Sequence, residues 1–243
     1  QVDGQCAEDG DGQHGEEPQV LVLLQREGNE HREYHRAAAH NAQTRHVGEG
    51  SQRTALLAVT GGNGVEKNDY KIGTGFPGTP YILFALADNG HADTAYKMLL
   101  NTQCPSWLYE VRVGATTVWE RWDGLDENGE CPIGDDGTDM MISYNHYASG
   151  AVGAFLYRRV LGVEPTEAGY RKFKFEPVVG GGITEAEGTV GTPYGVIKAA
   201  WKIADGEMTM TVAVPVGTEC TVVLPSGEEK VLGSGEYTVT AKA

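Results

Sequence analysis

Between Gly114 and Gly124 the chain reads Gly-Ala-Thr-Thr-Val-Trp-Glu-Arg-Trp-Asp-Gly. One carboxylate, Glu120, stands between two indoles, Trp119 and Trp122, with Arg121 and Asp123 beside them. Sugars present C–H faces that lie well on aromatic rings, and cleaving a glycosidic bond needs a carboxylate as nucleophile, acid or base. The same residue types would also make a buried ion pair among core tryptophans, and the spacing leaves both readings open.

Such a group must be held by regular elements on either side. Gly73-Thr-Gly-Phe-Pro-Gly78 is expected to be a loop, with Thr79 as an N-cap and Pro80 at the first position of a helix over 80–87. Ile82, Leu83, Phe84 and Leu86 make that helix apolar on most sides, Asp88-Asn-Gly90 ends it, and a second helix follows over about 91–102. Two apolar helices joined by a tight turn form an αα-hairpin, the unit of helical barrels and bundles. Pro105-Ser-Trp107 breaks the second helix, and an irregular or strand-like stretch is expected to lead into Gly114. After Gly124 a polar loop runs to Asp139; its Asp135, Asp136 and Asp139 fit no defined calcium-loop spacing, so no metal site is expected. Asn145 is expected to cap a third helix over 147–161, with Gly162 as its stop. From there the apolar period changes from 3.6 to 2, at Lys172–Phe175, Val196–Ile203 and Met208–Val214, with turns at Pro225-Ser-Gly227 and Gly233-Ser-Gly235. Short alternating strands with such turns predict an antiparallel sandwich.

The 114–124 stretch is similar to the signature of bacterial α-L-rhamnosidases of glycoside hydrolase family 78. Two more stretches match that family in the same order: Gly73-Thr-Gly-Phe-Pro-Gly-Thr-Pro-Tyr81 running to Ala87-Asp-Asn-Gly-His91, and Tyr144-Asn-His-Tyr-Ala-Ser-Gly-Ala-Val-Gly-Ala154. The likeness covers about residue 65 to the C-terminus. It implies a mixed α and β chain, with a partial (α/α)6-type barrel over 65–165 and an antiparallel β-sandwich over 166–243. It further implies an inverting hydrolase of rhamnose-containing glycosides, without metal or other cofactor. Glu120 matches the family's general base. Trp119 and Trp122 become the expected sugar platform, and His146 a contact to a sugar hydroxyl, since an imidazole can donate and accept at once. The family's general acid lies in an earlier helix–loop segment with no counterpart found here, so this chain alone is expected to hydrolyse negligibly. The alternative is a non-catalytic carbohydrate-binding or structural module.

The net charge of −15 disfavours nucleic acid and anionic membrane as partners. No run of 18 apolar residues and no basic start with an apolar core occurs, so neither a transmembrane helix nor a signal peptide is expected, which favours the cytoplasm. The four cysteines are scattered and read as reduced thiols. Residues 1–64 stand apart: they hold seven of the eight glutamines and five of the seven histidines, and no Lys, Ile, Phe, Trp or Met. Surfaces normally use lysine heavily. A polar disordered extension would look like this, and so would a coding sequence read out of frame up to that point, which is the preferred reading.

Overall fold

The computed structural model describes residues 64–131 and 141–243. The expectations for the segment before residue 64, and for Asp135, Asp136 and Asp139, lie outside the described residues.

After a single turn, α1 (Gly64–Lys67), the expected hairpin is formed by α2 (Ile82–Ala87) and α3 (Ala92–Leu99). Ile82, Leu83 and Leu86 of the first face Ala95, Tyr96 and Leu99 of the second in one buried cluster. Thr79 does not cap α2. Its hydroxyl donates to the Gly75 carbonyl (3.1 Å) and pairs with the Thr74 hydroxyl (3.0 Å), while its amide donates to Gly75 as well (3.0 Å). The glycine loop closes on itself first, so the helix begins only at Ile82.

The stretch expected to be irregular or strand-like is a third helix, α4 (Trp107–Arg112). Ser106 has extended backbone and accepts the Tyr109 amide on its hydroxyl (3.1 Å), satisfying one of the free donors of the first turn. At the other end Gly114 takes φ +94°, its amide bonds Val111 O (3.1 Å), and the Ala115 amide bonds Glu110 O (2.9 Å). That pair of bonds is the Schellman closure, which needs a left-handed residue at this position. The first glycine of the 114–124 motif is thus a helix stop.

Helical backbone then resumes in α5 (Tyr147–Gly150) and α6 (Val152–Phe155), joined through Ala151 and continued by a π-helical turn, Leu156–Val160. The cap position is His146, in extended conformation, rather than Asn145. The wider turn closes through Leu161 N–H to Leu156 O (2.7 Å).

The C-terminal part is two four-stranded sheets. One has the order β1-β2-β6-β7 (Val163–Pro165, Lys172–Phe175, Glu219–Val223, Glu229–Leu232); the other has β3-β4-β5-β8 (Glu185–Thr192, Gly195–Ala204, Glu207–Val214, Gly235–Lys242). The stretches expected to alternate form β2, β4 and β5, and the pairing is antiparallel except that β2 and β6 pair parallel, with Phe173 opposite Cys220. Ile197, Ala199 and Trp201 of β4 and Met208, Met210 and Val212 of β5 point inward, against Phe173, Phe175, Cys220 and Val222 of the other sheet.

The helices join this layer at the end of the π turn. Arg159 reaches Asp88 after α2 (2.6 and 3.0 Å) and Glu164 of β1 (2.8 Å), with its guanidinium over the Phe84 ring. Burial works against its charge, but Asp88 and Glu164 outweigh that and hold it protonated above the usual arginine range. Behind it, Gly162 takes φ +90°, and a Cβ there would lie 2.4 Å from Pro177 N. Gly162→Ala should therefore cost about 3 kcal/mol or more, by strain plus a backbone clash. Gly206→Ala, at φ +78° with open space around it, should cost only about 1–2 kcal/mol. Urea midpoints of the two variants check this; equal losses would refute it.

Candidate active site

Two loops carry the candidate residues, and they pair with each other. The Glu120 amide donates to Ser143 O (2.8 Å), the His146 amide to Val118 O (2.9 Å), and the Thr117 hydroxyl to Tyr144 O. Those bonds bring Glu120 and His146 onto adjoining strands of loop. A further bond aims the Glu120 carboxylate: its Oε2 accepts the Ser143 amide (2.9 Å). Among the described residues its Oε1 takes no hydrogen bond, which leaves that oxygen for a ligand or water.

The two tryptophans of the motif part company. Trp119 is 3% exposed, lying edge-on to Tyr144 (5.5 Å between ring centroids) and beneath Gly124. A Cβ on Gly124 would sit 2.7 Å from both the Trp119 ring and Ile142, so the last glycine of the motif makes room for this indole. Trp122 is half-buried, edge-on to Trp107 (5.4 Å), whose own indole N–H is tied to Ser149 O (2.9 Å). Of the pair expected to form a platform, only Trp122 retains open ring surface.

Arg121 and Asp123 form a two-bond ion pair (3.0 and 2.8 Å) at the surface, not a buried one. The bond from Arg121 holds the Asp123 carboxyl below its usual range. An exposed pair of this kind contributes about 0–1 kcal/mol to stability. Its value here is local shape.

His146 is flanked by Phe76 (4.5 Å) and stacked on Tyr147 (5.2 Å), with its Nδ1 buried and without a partner. Phe76, Tyr144 and Tyr147 are all exposed, Tyr147 to 81%. Open aromatic rings suit the C–H faces of a sugar, and the Glu120–Ser143 and Val118–His146 pairings set the loop that carries Tyr144 and His146 against the one that carries Glu120. Among the described residues no group of three or more His, Cys, Asp or Glu side chains is placed to hold a metal ion.

Three participants were not singled out from the sequence: Phe76, Ser143 and Glu110. Ser143 acts through its main chain, which carries no sequence signal. Glu110 is 2% exposed, its Oε2 accepts the Trp119 amide (3.2 Å), and its Oε1 is buried without a partner. Burial pushes its carboxyl up to about 8, against a smaller opposite pull from the Trp119 bond. Ser106 and Gly114 could have exposed it: bracketing a helix between those caps puts Glu110 three residues after Trp107, on the same inward face.

Comparison with known proteins divides the chain near residue 161, and the likeness starts at residue 31, upstream of the residue 65 at which it was expected to begin. Residues 31–160 match the family model of the bacterial α-L-rhamnosidase six-hairpin glycosidase domain, and residues 162–238 that of the bacterial α-L-rhamnosidase C-terminal domain. An α-L-rhamnosidase of Streptomyces avermitilis is 39% identical over 162 residues, 67% of this chain and 15% of that protein. One of Formosa agariphila is 36% identical over 169 residues, covering 69% and 18%. The chain therefore spans less than a fifth of these relatives. Among solved structures, native α-L-rhamnosidase from Aspergillus terreus superposes with TM-score 0.67 at 38% identity, over 78% of this chain and 21% of that one. The S. avermitilis enzyme complexed with L-rhamnose gives 0.65 at 34%, over 73% and 19%.

The raised Glu110 carboxyl has a consequence for stability. Unfolded, it would lose its proton near 4.5; folded, it keeps it to about 8. Its contribution is fully present below about pH 4.5 and is lost as pH rises through about 8, on the order of a few kcal/mol. Glu110→Gln is neutral throughout, so its urea stability relative to wild type should improve steadily between pH 5 and 9. Parallel pH curves for the two proteins would contradict the burial argument.

Proposed function

The chain belongs to the bacterial α-L-rhamnosidase family, and from that premise we propose that it supplies the general-base side of an inverting glycoside hydrolase releasing terminal α-L-rhamnose. The observation that carries this is the Glu120 carboxylate, fixed at Oε2 by the Ser143 amide and open at Oε1, beside exposed aromatic rings. Inversion requires one carboxyl to protonate the leaving oxygen and a second, about 6.5–9.5 Å away, to take a proton from water on the opposite face of the sugar. Glu120 takes the second part: Oε1 accepts the proton while Oε2 stays anchored. His146 meets a sugar hydroxyl, Trp122 offers a ring face, and the buried Trp119 supports the loop from below.

Glu110 does not serve as the acid. It is 2% exposed and committed to the Trp119 amide, so a leaving oxygen cannot reach it. The facing acid comes from barrel segments of the longer relatives that have no counterpart among the residues described here. Absence of an acid forfeits about 10²–10⁴ in rate, and loose positioning of the sugar about 10² more.

Turnover of an aryl α-L-rhamnoside tests the assignment. The isolated chain should hydrolyse it negligibly. In an enzyme with the complete barrel, Glu120→Gln should keep sugar binding and lose at least about 10² in kcat, because an amide cannot take the proton from water. Robust turnover by the isolated chain, or an unimpaired Glu120→Gln enzyme, would defeat the proposal. Rhamnose binding by the chain, with full activity in the Glu120→Gln enzyme, would instead favour a binding module, for which the open rings at Phe76, Tyr144 and Tyr147 speak.

A further inference from the structure

We propose that Glu110 is the positioning residue for Glu120, fixing both ends of the 115–119 segment that delivers it. At one end its main-chain carbonyl accepts the Ala115 amide (2.9 Å), closing α4; at the other its side-chain Oε2 accepts the Trp119 amide (3.2 Å). A segment of five residues is thus stapled at both ends to one residue, and Glu120 is the next residue along.

The staple does not behave as an ordinary ion pair. Glu110 has no Lys, Arg or His partner among the described residues, and it sits beside Trp107, Leu108 and Tyr109, all buried. A carboxyl in apolar surroundings stays protonated, and in that form its two oxygens differ: one is a carbonyl acceptor and the other a hydroxyl. Oε2, facing the Trp119 amide, takes the acceptor role and leaves the hydroxyl at Oε1. The Trp119 amide has no other acceptor among the described residues, so without Glu110 a buried donor next to the base would go unpaired. The effect would pass straight to Glu120, whose own amide and carboxylate are registered against Ser143.

This inference rests on Glu120 being the base, but its test separates the two. In ¹⁵N,¹³C-labelled full chain, a coupling across the hydrogen bond from the Trp119 nitrogen to the Glu110 carboxyl carbon should be detectable. Glu110→Gln, which keeps an oxygen acceptor on the same stem, should preserve the Trp119 amide's protection from hydrogen exchange and the affinity for L-rhamnose. Glu110→Leu should speed exchange at Trp119 and Glu120 by about tenfold or more and weaken L-rhamnose binding several-fold, with β4 and β5 amides unchanged. Equal behaviour of the Gln and Leu variants, or no coupling in the wild-type chain, would overturn the assignment; the coupling decides it even where Glu110→Leu does not fold. If wild type binds no L-rhamnose, the proposed function fails, while coupling and exchange still decide the staple.

Discussion

The end of the last helix has to place its carbonyls somewhere, and the answer holds the two halves of the molecule together. Arg159 O accepts the Val178 amide (2.8 Å), Val160 O the Trp201 indole (2.8 Å), and Gly162 O the Glu176 amide (2.8 Å). Buried carbonyls at a helix end are costly when unpaired. Here every donor named comes from the β layer or the segment leading into it. The Tyr96 hydroxyl then bonds Val178 O, so α3 is joined to the same strip. With Arg159 binding Asp88 and Glu164 across the junction, the hairpin, the broken helix and β1 meet at four consecutive residues, 159–162. The π turn just before them fits this demand, since it rotates the last carbonyls relative to a regular helix.

Farther along the same helical run, its N-terminal end sets the other working part. His146 begins the helix and at the same time pairs its amide with Val118. Ser149, one turn in, takes the Trp107 indole N–H, which ties α5 to α4. The 114–124 motif is therefore gripped from below by α4 and from the side by the residues preceding α5. Its glycines mark those grips rather than flexibility: Gly114 closes α4, and Gly124 admits the Trp119 ring. A motif of this kind looks catalytic in the sequence, yet of its charged and aromatic residues only Glu120 and Trp122 present open surface without an ion-pair partner of their own.

Periodicity made the large features legible. The apolar runs at Ile82–Leu86 and Ala92–Leu99 became a hairpin, and the alternation at Met208–Val214 became β5, because burial on one side leaves a repeating trace. What escaped were features settled by competition for hydrogen bonds. Thr79 has the right chemistry for a cap, but its hydroxyl is engaged with Gly75 and Thr74, and the helix begins two residues further on, after Tyr81. α4 mixes Glu110 and Arg112 with its apolar residues and follows a proline that reads as a break, so only Ser106 and Gly114 signalled it. The parallel pairing of β2 with β6 depends on where a distant strand returns, which alternation does not encode. In the site, Glu120 and His146 were named from residue type and family likeness, whereas the opposite fates of Trp119 and Trp122 follow from packing at Gly124.

A base needs two things that rarely coexist: a fixed direction and an open oxygen. Burying the carboxylate would fix it but raise the cost of its charge; leaving it free would keep it charged but let it wander. The structure divides these requirements between two carboxyl groups ten residues apart. Glu110 takes the burial and remains neutral, lending rigidity to the loop. Glu120 stays half-exposed, with one oxygen on the Ser143 amide and the other open. All the bonds that enforce this division lie between residues 106 and 149, within α4, the motif and the start of α5. The direction of the Glu120 carboxylate is consequently a local property of this segment, and the role of base proposed for it draws on that.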